Sequence, residues 1–311
     1  MNEKDIARSR RHFLQASIAG LAAAQAERSS GASVSELPRV KFGQVEVTKL
    51  IIGSNPLYGG SHFNGLFSGL MSEWMTQDKR MEILHRCEKA GINTWQAHYI
   101  EGVTMEDLKR YRGEGGRMNF LLLGMGRVMT DYKSIAQVAK VEPIGIAHHG
   151  NVADDLFREG HKEKIKDWCK AARDAGVTVG LSTHNPTLVA TAEDESWDID
   201  YYMTCMYWVS RTPEQARAEY GEAPVGEIYM ERDPERMLKM VRQTKKTCFA
   251  FKVLGAGRRI RNAEEVDSAF RFVLERIKPQ DAIIVGMFPK FQDQVSDNVA
   301  RVKRLMAQIG S

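Results

Sequence analysis

Short apolar runs alternate with longer amphipathic stretches along almost the whole chain. The runs Leu50–Gly53, Asn93–Ala97, Phe120–Met125, Ile144–His148, Thr178–Ser182, Ile199–Cys205, Cys248–Val253 and Ala282–Val285 are four to seven residues of mostly apolar character, as strands buried on both faces require. Between them, Lys79–Ala90, Asp131–Lys140, Arg158–Ala175, Pro234–Lys245, Ala263–Ile277 and Gln292–Ile309 place apolar residues at helical spacing, with Asp131 and Asn262 as candidate N-caps. Ahead of the first run, Val40–Val47 alternates about Gly43 and reads as a hairpin. Eight strand–helix repeats after a hairpin predict an α/β fold, a (β/α)8 TIM barrel with an N-terminal β-hairpin, over residues 38–311. Gly53-Ser54-Asn55-Pro56 after the first strand lacks the glycine spacing of a doubly wound dinucleotide fold.

A barrel builds its site at the C-terminal ends of its strands. Polar groups gather there: Gln96, His98 and Tyr99 after the second strand, with Glu101 close behind; His148 and His149 after the fourth; Ser182, Thr183 and His184 after the fifth; Tyr207 and Trp208 after the sixth; Lys252 in the seventh. Four of the chain's eight histidines are thus predicted on one face. Histidine there can serve as an acid or base, a neutral donor or a metal ligand. A lone histidine at a strand end is more often a rim residue, but four converging ones indicate a pocket. Lys252 must reach the mouth or pair with a carboxylate, because a lone buried ammonium is costly. Residues 54–76, with Tyr58, His62 and Trp74, and residues 207–231 read as long lid loops.

The N-terminus changes the setting. Ser9-Arg10-Arg11-His12-Phe13-Leu14, the small-residue run Ala16–Ala24 and Ala24-Gln25-Ala26 have the order of a twin-arginine export signal over 1–26, followed by a polar linker over 27–37. The expected partner is the twin-arginine translocase, and the expected location periplasmic or secreted. Cleavage would remove four basic and two acidic residues, taking the net charge from +4 to +2. A near-neutral chain without a basic, aromatic-laced patch does not suit nucleic acid. No run after the signal approaches the roughly 18 apolar residues of a membrane span, so the mature protein is not expected to be an integral membrane protein. Cys87, Cys169, Cys205 and Cys248 share no C-x-x-C spacing, and four buried free thiols are expected.

With these segments placed, the chain resembles the aldo-keto reductase superfamily. The resemblance rests on Gly53-Ser54, Ala90-Gly91-Ile92-Asn93, Ile146-Ala147-His148-His149-Gly150, Gly180-Leu181-Ser182-Thr183-His184-Asn185-Pro186, Ile284-Val285-Gly286-Met287 and Gln294-Val295-Ser296-Asp297-Asn298. It implies NADP(H), held through Ser54, Ser182, Thr183, Lys290, Gln294, Asp297 and Asn298. It also implies hydride transfer to a carbonyl of a small, sugar-like substrate contacted by Tyr58, His149, His184, Tyr207 and Trp208. The family's Asp, Tyr, Lys, His tetrad survives only at His148: Gln96 stands for the aspartate, Glu101 for the tyrosine and Met125 for the lysine. Tyr99 or Tyr58 would have to replace the proton donor, with His148 orienting the carbonyl. Two alternatives stay open. One is a non-redox isomerase, lyase or hydrolase using His98, His148, His149 and His184 with Glu101 and Lys252, with or without a divalent metal; the other is an inactive ligand-binding barrel.

Overall fold

The computed structural model describes residues 36–310, so the expected export signal and nearly all of the expected linker lie outside the described residues. A two-stranded antiparallel hairpin, β1 (Arg39–Phe42) and β2 (Val45–Thr48), precedes eight parallel strands: β3 (Leu50–Gly53), β4 (Thr94–His98), β5 (Asn119–Leu123), β6 (Gly145–His148), β7 (Val179–Thr183), β8 (Tyr201–Cys205), β9 (Thr247–Phe251) and β10 (Ala282–Gly286). They pair in chain order, and β10 closes on β3 with Ile283 opposite Leu50 and Gly286 opposite Gly53. This is the expected barrel.

Alternation along each strand separates two cores. Ile51, Leu121, Ala147, Tyr201, Met203, Phe249 and Ile284 fill the lumen, joined by Val40, Phe42 and Val47, so the hairpin stoppers the N-terminal end. The Phe42 ring stands edge-on to Tyr201 and Phe249, with centroids 5.1 and 5.0 Å away. Trp95, Phe120, Ile146, Leu181 and Tyr202 point outward into the larger core under the helices. Gly145 and Gly180 make room for the central tyrosine: a Cβ on Gly180 would lie 2.3 Å from Tyr201 Cζ.

The helices are α1 (Gly65–Trp74), α2 (Gln77–Lys89), α3 (Thr104–Gly113), α4 (Arg127–Thr130), α5 (Lys133–Ala139), α6 (Gly150–Arg158), α7 (Lys162–Asp174), α8 (Pro186–Asp194), α9 (Pro213–Tyr220), α10 (Asp233–Gln243), α11 (Ala263–Leu274) and α12 (Gln294–Ile309). Five points differ from the sequence reading. The two expected lid loops are not open loops: α1 is capped by Asn64, whose side chain accepts from the Phe67 N–H, and α9 by a Thr212/Gln215 capping box. The helix expected over Arg158–Ala175 starts later, as α7 at Lys162, because the preceding α6 ends at Arg158 and Gly160 takes φ +78° between them. Helices α3 and α8 were not anticipated. The helix expected from Asp131 starts at Lys133, whose backbone N–H the Asp131 side chain accepts at 3.2 Å. Strand β9 ends at Phe251, one residue before Lys252.

Both lid segments are pinned by buried ion pairs. The fully buried Asp107 carboxylate accepts from Arg80 Nε at 2.6 Å, Gln77 at 3.0 Å and the Tyr58 hydroxyl at 3.0 Å. Asp233 takes Arg211 at 2.6 Å and the backbone N–H of Trp208 at 3.2 Å, while the guanidinium lies 4.6 Å from the centre of the Trp208 ring. Removing one partner of such a pair strands a buried charge, at a cost of about 3–5 kcal/mol. Arg211→Met should therefore lower stability by about that amount in urea unfolding. Gly180→Ala, which drives a methyl into the Tyr201 ring, should cost about 1–3 kcal/mol by the same measurement.

Candidate active site

The lumen-facing register decides which polar groups reach the mouth. On β4, Trp95 and Ala97 belong to the outer core, so Gln96 and His98 face inward. On β7, Leu181 is outer and Ser182 inner. On β6, Ala147 is the lumen residue and His148 the outer one.

That register corrects one expectation. His148 does not reach the mouth: it is 1% exposed, with its ring edge-on to Trp168 of α7 at 5.1 Å and its Nδ1 3.1 Å from the His149 carbonyl. Burial drives its pKa down to about 3. Tyr99 likewise follows an inward residue and packs against the outer core. The Tyr58 hydroxyl donates a hydrogen bond to Asp107, and burial first, then that carboxylate, raises its pKa far above a free phenol's. Glu101 is exposed, 3.8 Å from Arg127. The family tetrad is not rebuilt by neighbouring residues.

A different set is brought together. The His184 backbone N–H and Nδ1 both lie against Asp154 Oδ2, at 3.0 and 2.9 Å, and the Thr183 hydroxyl donates to Oδ1 at 2.5 Å. Asp154 is 2% exposed. The carboxylate fixes the Nδ1–H tautomer of His184 and leaves its Nε2 lone pair free, the arrangement of an oriented general base. Thr183 is consumed in this support and is not a cofactor ligand. A Cβ on Gly150 would lie 3.0 Å from both Ser182 Oγ and His184 Cε1, so these two groups converge over the first turn of α6. His98 Nδ1 sits 2.8 Å from Ser54 Oγ, which already accepts the His98 backbone N–H at 3.2 Å. The serine hydroxyl can donate to Nδ1 while accepting that N–H, and in that arrangement Nε2–H is the free donor. His149 keeps a buried Nδ1 with no partner among the described residues. Burial, reinforced by neighbouring imidazoles, lowers the pKa of His98 and His149 to about 4.

Above the rim, three segments meet in a clasp. His62 Nδ1 pairs with Glu227 Oε1 at 2.7 Å, and the Tyr229 hydroxyl donates to Oε2 at 3.0 Å. Arg258 donates to the His62 carbonyl at 2.9 Å and lies over the Tyr229 ring, 3.8 Å from its centre. Tyr207 packs on Tyr229 at 5.0 Å, whereas Trp208 packs on Arg211. A cavity of about 240 Å³ lies to the side, between Tyr207, Val253, Arg259 and α11 rather than over the histidines.

Two ligand expectations can be tested against these positions. Among the described residues no group of three or more His, Cys, Asp or Glu side chains could hold a metal ion. At the expected adenine end, Lys290 is exposed over Phe291, the Gln294 side-chain carbonyl holds the Phe288 N–H, and buried Asn298 is bonded to Arg301. Asp297 is exposed, and Asp293 already caps the first turn of α12. Two carboxylates at a helix N-terminus oppose a phosphate there. As placed, these residues do not form a phosphate-binding set, and no chemical step is derived through a dinucleotide.

No family model matches the chain, and no curated protein is similar to it. Solved structures are. A putative aldo-keto reductase from Pseudomonas aeruginosa superposes with a TM-score of 0.58 at 16% identity, over 88% of this chain and 98% of that one. A glycerol dehydrogenase from Gluconobacter oxydans gives 0.52 at 11% identity, over 87% and 94%. A truncated 3-deoxy-D-arabino-heptulosonate 7-phosphate synthase from Thermotoga maritima gives 0.50 at 14%, over 88% and 91%. At these identities the likeness is one of fold.

Asp154, Glu227 and Arg258 were not among the sequence candidates. Asp154 was legible in principle: the buried positions of α6 are Gly150, Ala153 and Asp154, and an aspartate on a helix's core face needs a partner.

The neutral imidazoles set a pH dependence. His98, His149 and His148 titrate below the ordinary 6.5 when folded, so between that value and their folded pKa values the unfolded chain binds more protons. Their contribution is complete above about pH 6.5 and is lost on acidification towards pH 4 and then 3, each ring adding up to about 1.4 kcal/mol per pH unit. His148→Leu, which keeps an apolar contact with Trp168, should make the acid limb of a denaturation-versus-pH curve shallower.

Proposed function

We propose that this chain is an exported barrel enzyme that moves protons on a small hydroxylated carbonyl compound, with His184 as general base. The observation that carries this reading is the Asp154–His184 pair, which holds Nδ1 and leaves Nε2 without a hydrogen-bond partner among the described residues. His184 Nε2 takes a proton from the carbon next to the carbonyl. The resulting imidazolium is stabilised by the buried Asp154 carboxylate, and negative charge on the substrate oxygen is met by the neutral Nε2–H of His98 and by His149. Gln96 and the aromatic rings of Tyr207 and Tyr229 suit the hydroxyls and faces of a sugar-like molecule. Returning the proton at the same or a neighbouring carbon gives epimerisation or aldose–ketose isomerisation, with no net oxidation.

A second reading, NADP(H)-dependent reduction of the same carbonyl, is favoured by the fold shared with a glycerol dehydrogenase and a putative aldo-keto reductase. Export through the twin-arginine translocase to the periplasm fits either reading, and the route would allow a cofactor to be carried out already bound.

Deuterium exchange separates them without knowledge of the true substrate. Wild-type protein incubated in D2O with a panel of aldoses, ketoses and hydroxyketones should catalyse exchange at the carbon beside the carbonyl, seen by proton NMR. His184→Ala and Asp154→Asn should slow it by roughly 10²–10⁴-fold. Absence of exchange across the panel, together with saturable NADPH fluorescence enhancement and carbonyl reduction, would replace this reading with the redox one.

A further inference from the structure

Lys252 is a candidate that the proton-transfer scheme leaves unused, and its surroundings are unusual. It follows the last residue of β9, at the rim of the barrel, with φ +58°, a left-handed conformation that costs a residue with a Cβ about 1–2 kcal/mol. Such strain persists only where the surroundings impose it, and it concentrates at functional sites. The backbone is held from both sides: the Lys252 carbonyl accepts the Gly255 N–H at 2.8 Å, and the Phe251 carbonyl accepts the Met206 N–H at 3.0 Å. The preceding side chain, Phe251, lies edge-on to the His184 ring at 5.6 Å, and the left-handed turn at Lys252 brings its amine within electrostatic reach of Glu227 and Arg258, the clasp residues over the mouth.

The amine itself has no carboxylate within 4.0 Å among the described residues. The nearest candidate, Glu227, is already committed to His62 and Tyr229. Arg258 adds a like charge, and the buried Cys205 thiol stands on the adjoining strand end. Desolvation by burial lowers the lysine's pKa against the opposing pull of Cys205 and Glu227, and Arg258 adds a smaller push in the same direction as burial. A surface lysine is protonated and inert towards carbonyls at neutral pH. A desolvated lysine beside another cation retains a fraction of the free, nucleophilic amine.

We propose that Lys252 is a Schiff-base lysine for a ketone substrate, condensing with the carbonyl carbon that the mouth of the barrel presents. The neutral Nζ adds to that carbon, forming the C–N bond as the carbonyl π electrons move to oxygen, which gains a proton. Loss of one proton from nitrogen and of water from the carbinolamine gives the imine, whose protonated form is an electron sink. The base at His184 then removes the neighbouring C–H proton, the electron pair flows into the C=N bond to give an enamine, and reprotonation followed by addition of water releases product and restores the amine. Water is lost and regained, and no oxidant or reductant is consumed. This deepens the proton-transfer reading, on which it rests for the base, and it narrows the substrate to ketones bearing an α-hydrogen, such as hydroxyketones and ketoses.

The test is reductive trapping on the full-length mature protein. Wild-type protein is incubated at pH 7 with dihydroxyacetone, treated with sodium borohydride, digested and mapped by mass spectrometry. The expected result is the mass of one reduced probe on Lys252. Labelling there should exceed any surface lysine by about tenfold or more, since each pKa unit of depression multiplies the reactive fraction about tenfold. Labelling spread evenly over surface lysines, or absent from Lys252, would overturn the proposal. Because the wild-type measurement needs no substitution, a poorly folding variant cannot obscure it. In a second experiment, Lys252→Arg with native circular dichroism should lose the adduct while keeping the fold; persistence of the same adduct count in that variant would also overturn it. The two ideas fail separately. Deuterium exchange that depends on His184 without trapping at Lys252 would leave the base and remove the imine, and trapping that survives in His184→Ala supports the imine irrespective of the base.

Discussion

The packed lumen is the constraint from which the rest of the molecule follows. Phe42, Tyr201 and Phe249 meet near the N-terminal end and the hairpin closes it, so water and substrate have one way in. A dry interior cannot accept an unpaired polar group without a cost of a few kcal/mol. The Tyr201 hydroxyl, buried in the lumen with no partner among the described residues, bears that cost, while Gln96, His98 and Ser182 stand where the lumen opens. The glycines at 145 and 180 serve that filling, because without them the central tyrosine ring would have no space. Catalytic groups on this scaffold stand on a floor that does not yield.

The same logic explains what could be read from the sequence. Strand count, strand order and the stoppering hairpin follow from runs of apolar residues whose length and spacing have one economical solution, and the eight strands fall within two residues of the expected boundaries. Which of two adjacent histidines faces inward is a different matter. His148 and His149 differ by one position, and a period of two sends them to opposite sides. Only the placement of Ala147 in the lumen, set by pairing with Leu123 on one side and Gly180 on the other, decides it. The two supposed lids illustrate another limit: α1 and α9 are short and carry weak amphipathic patterns, so their capping residues Asn64 and Thr212 were the better signals. Long-range partners were out of reach altogether, as Glu227 is 165 residues from the His62 it holds.

The clasp over the rim joins the segments after β3, β8 and β9, the first two of which are anchored in turn by Asp107 and Asp233. Each segment is rigid at its base and polar at its tip. The contacts that hold this cover together, His62 with Glu227 and Arg258 over Tyr229, are partly exposed and individually weak, unlike the buried pairs beneath. Access to the histidines is thus separable from the stability of the barrel.

The four cysteines carry a consequence of a different kind. All are buried and unbonded, and burial pushes each thiol up to about 12. A thiol is attacked by oxidants and disulfides as its thiolate, a form these residues almost never adopt. The folded chain is in effect blind to the redox potential around it: moved from a reducing to an oxidising medium, it would neither form crosslinks nor need enzymes to repair them.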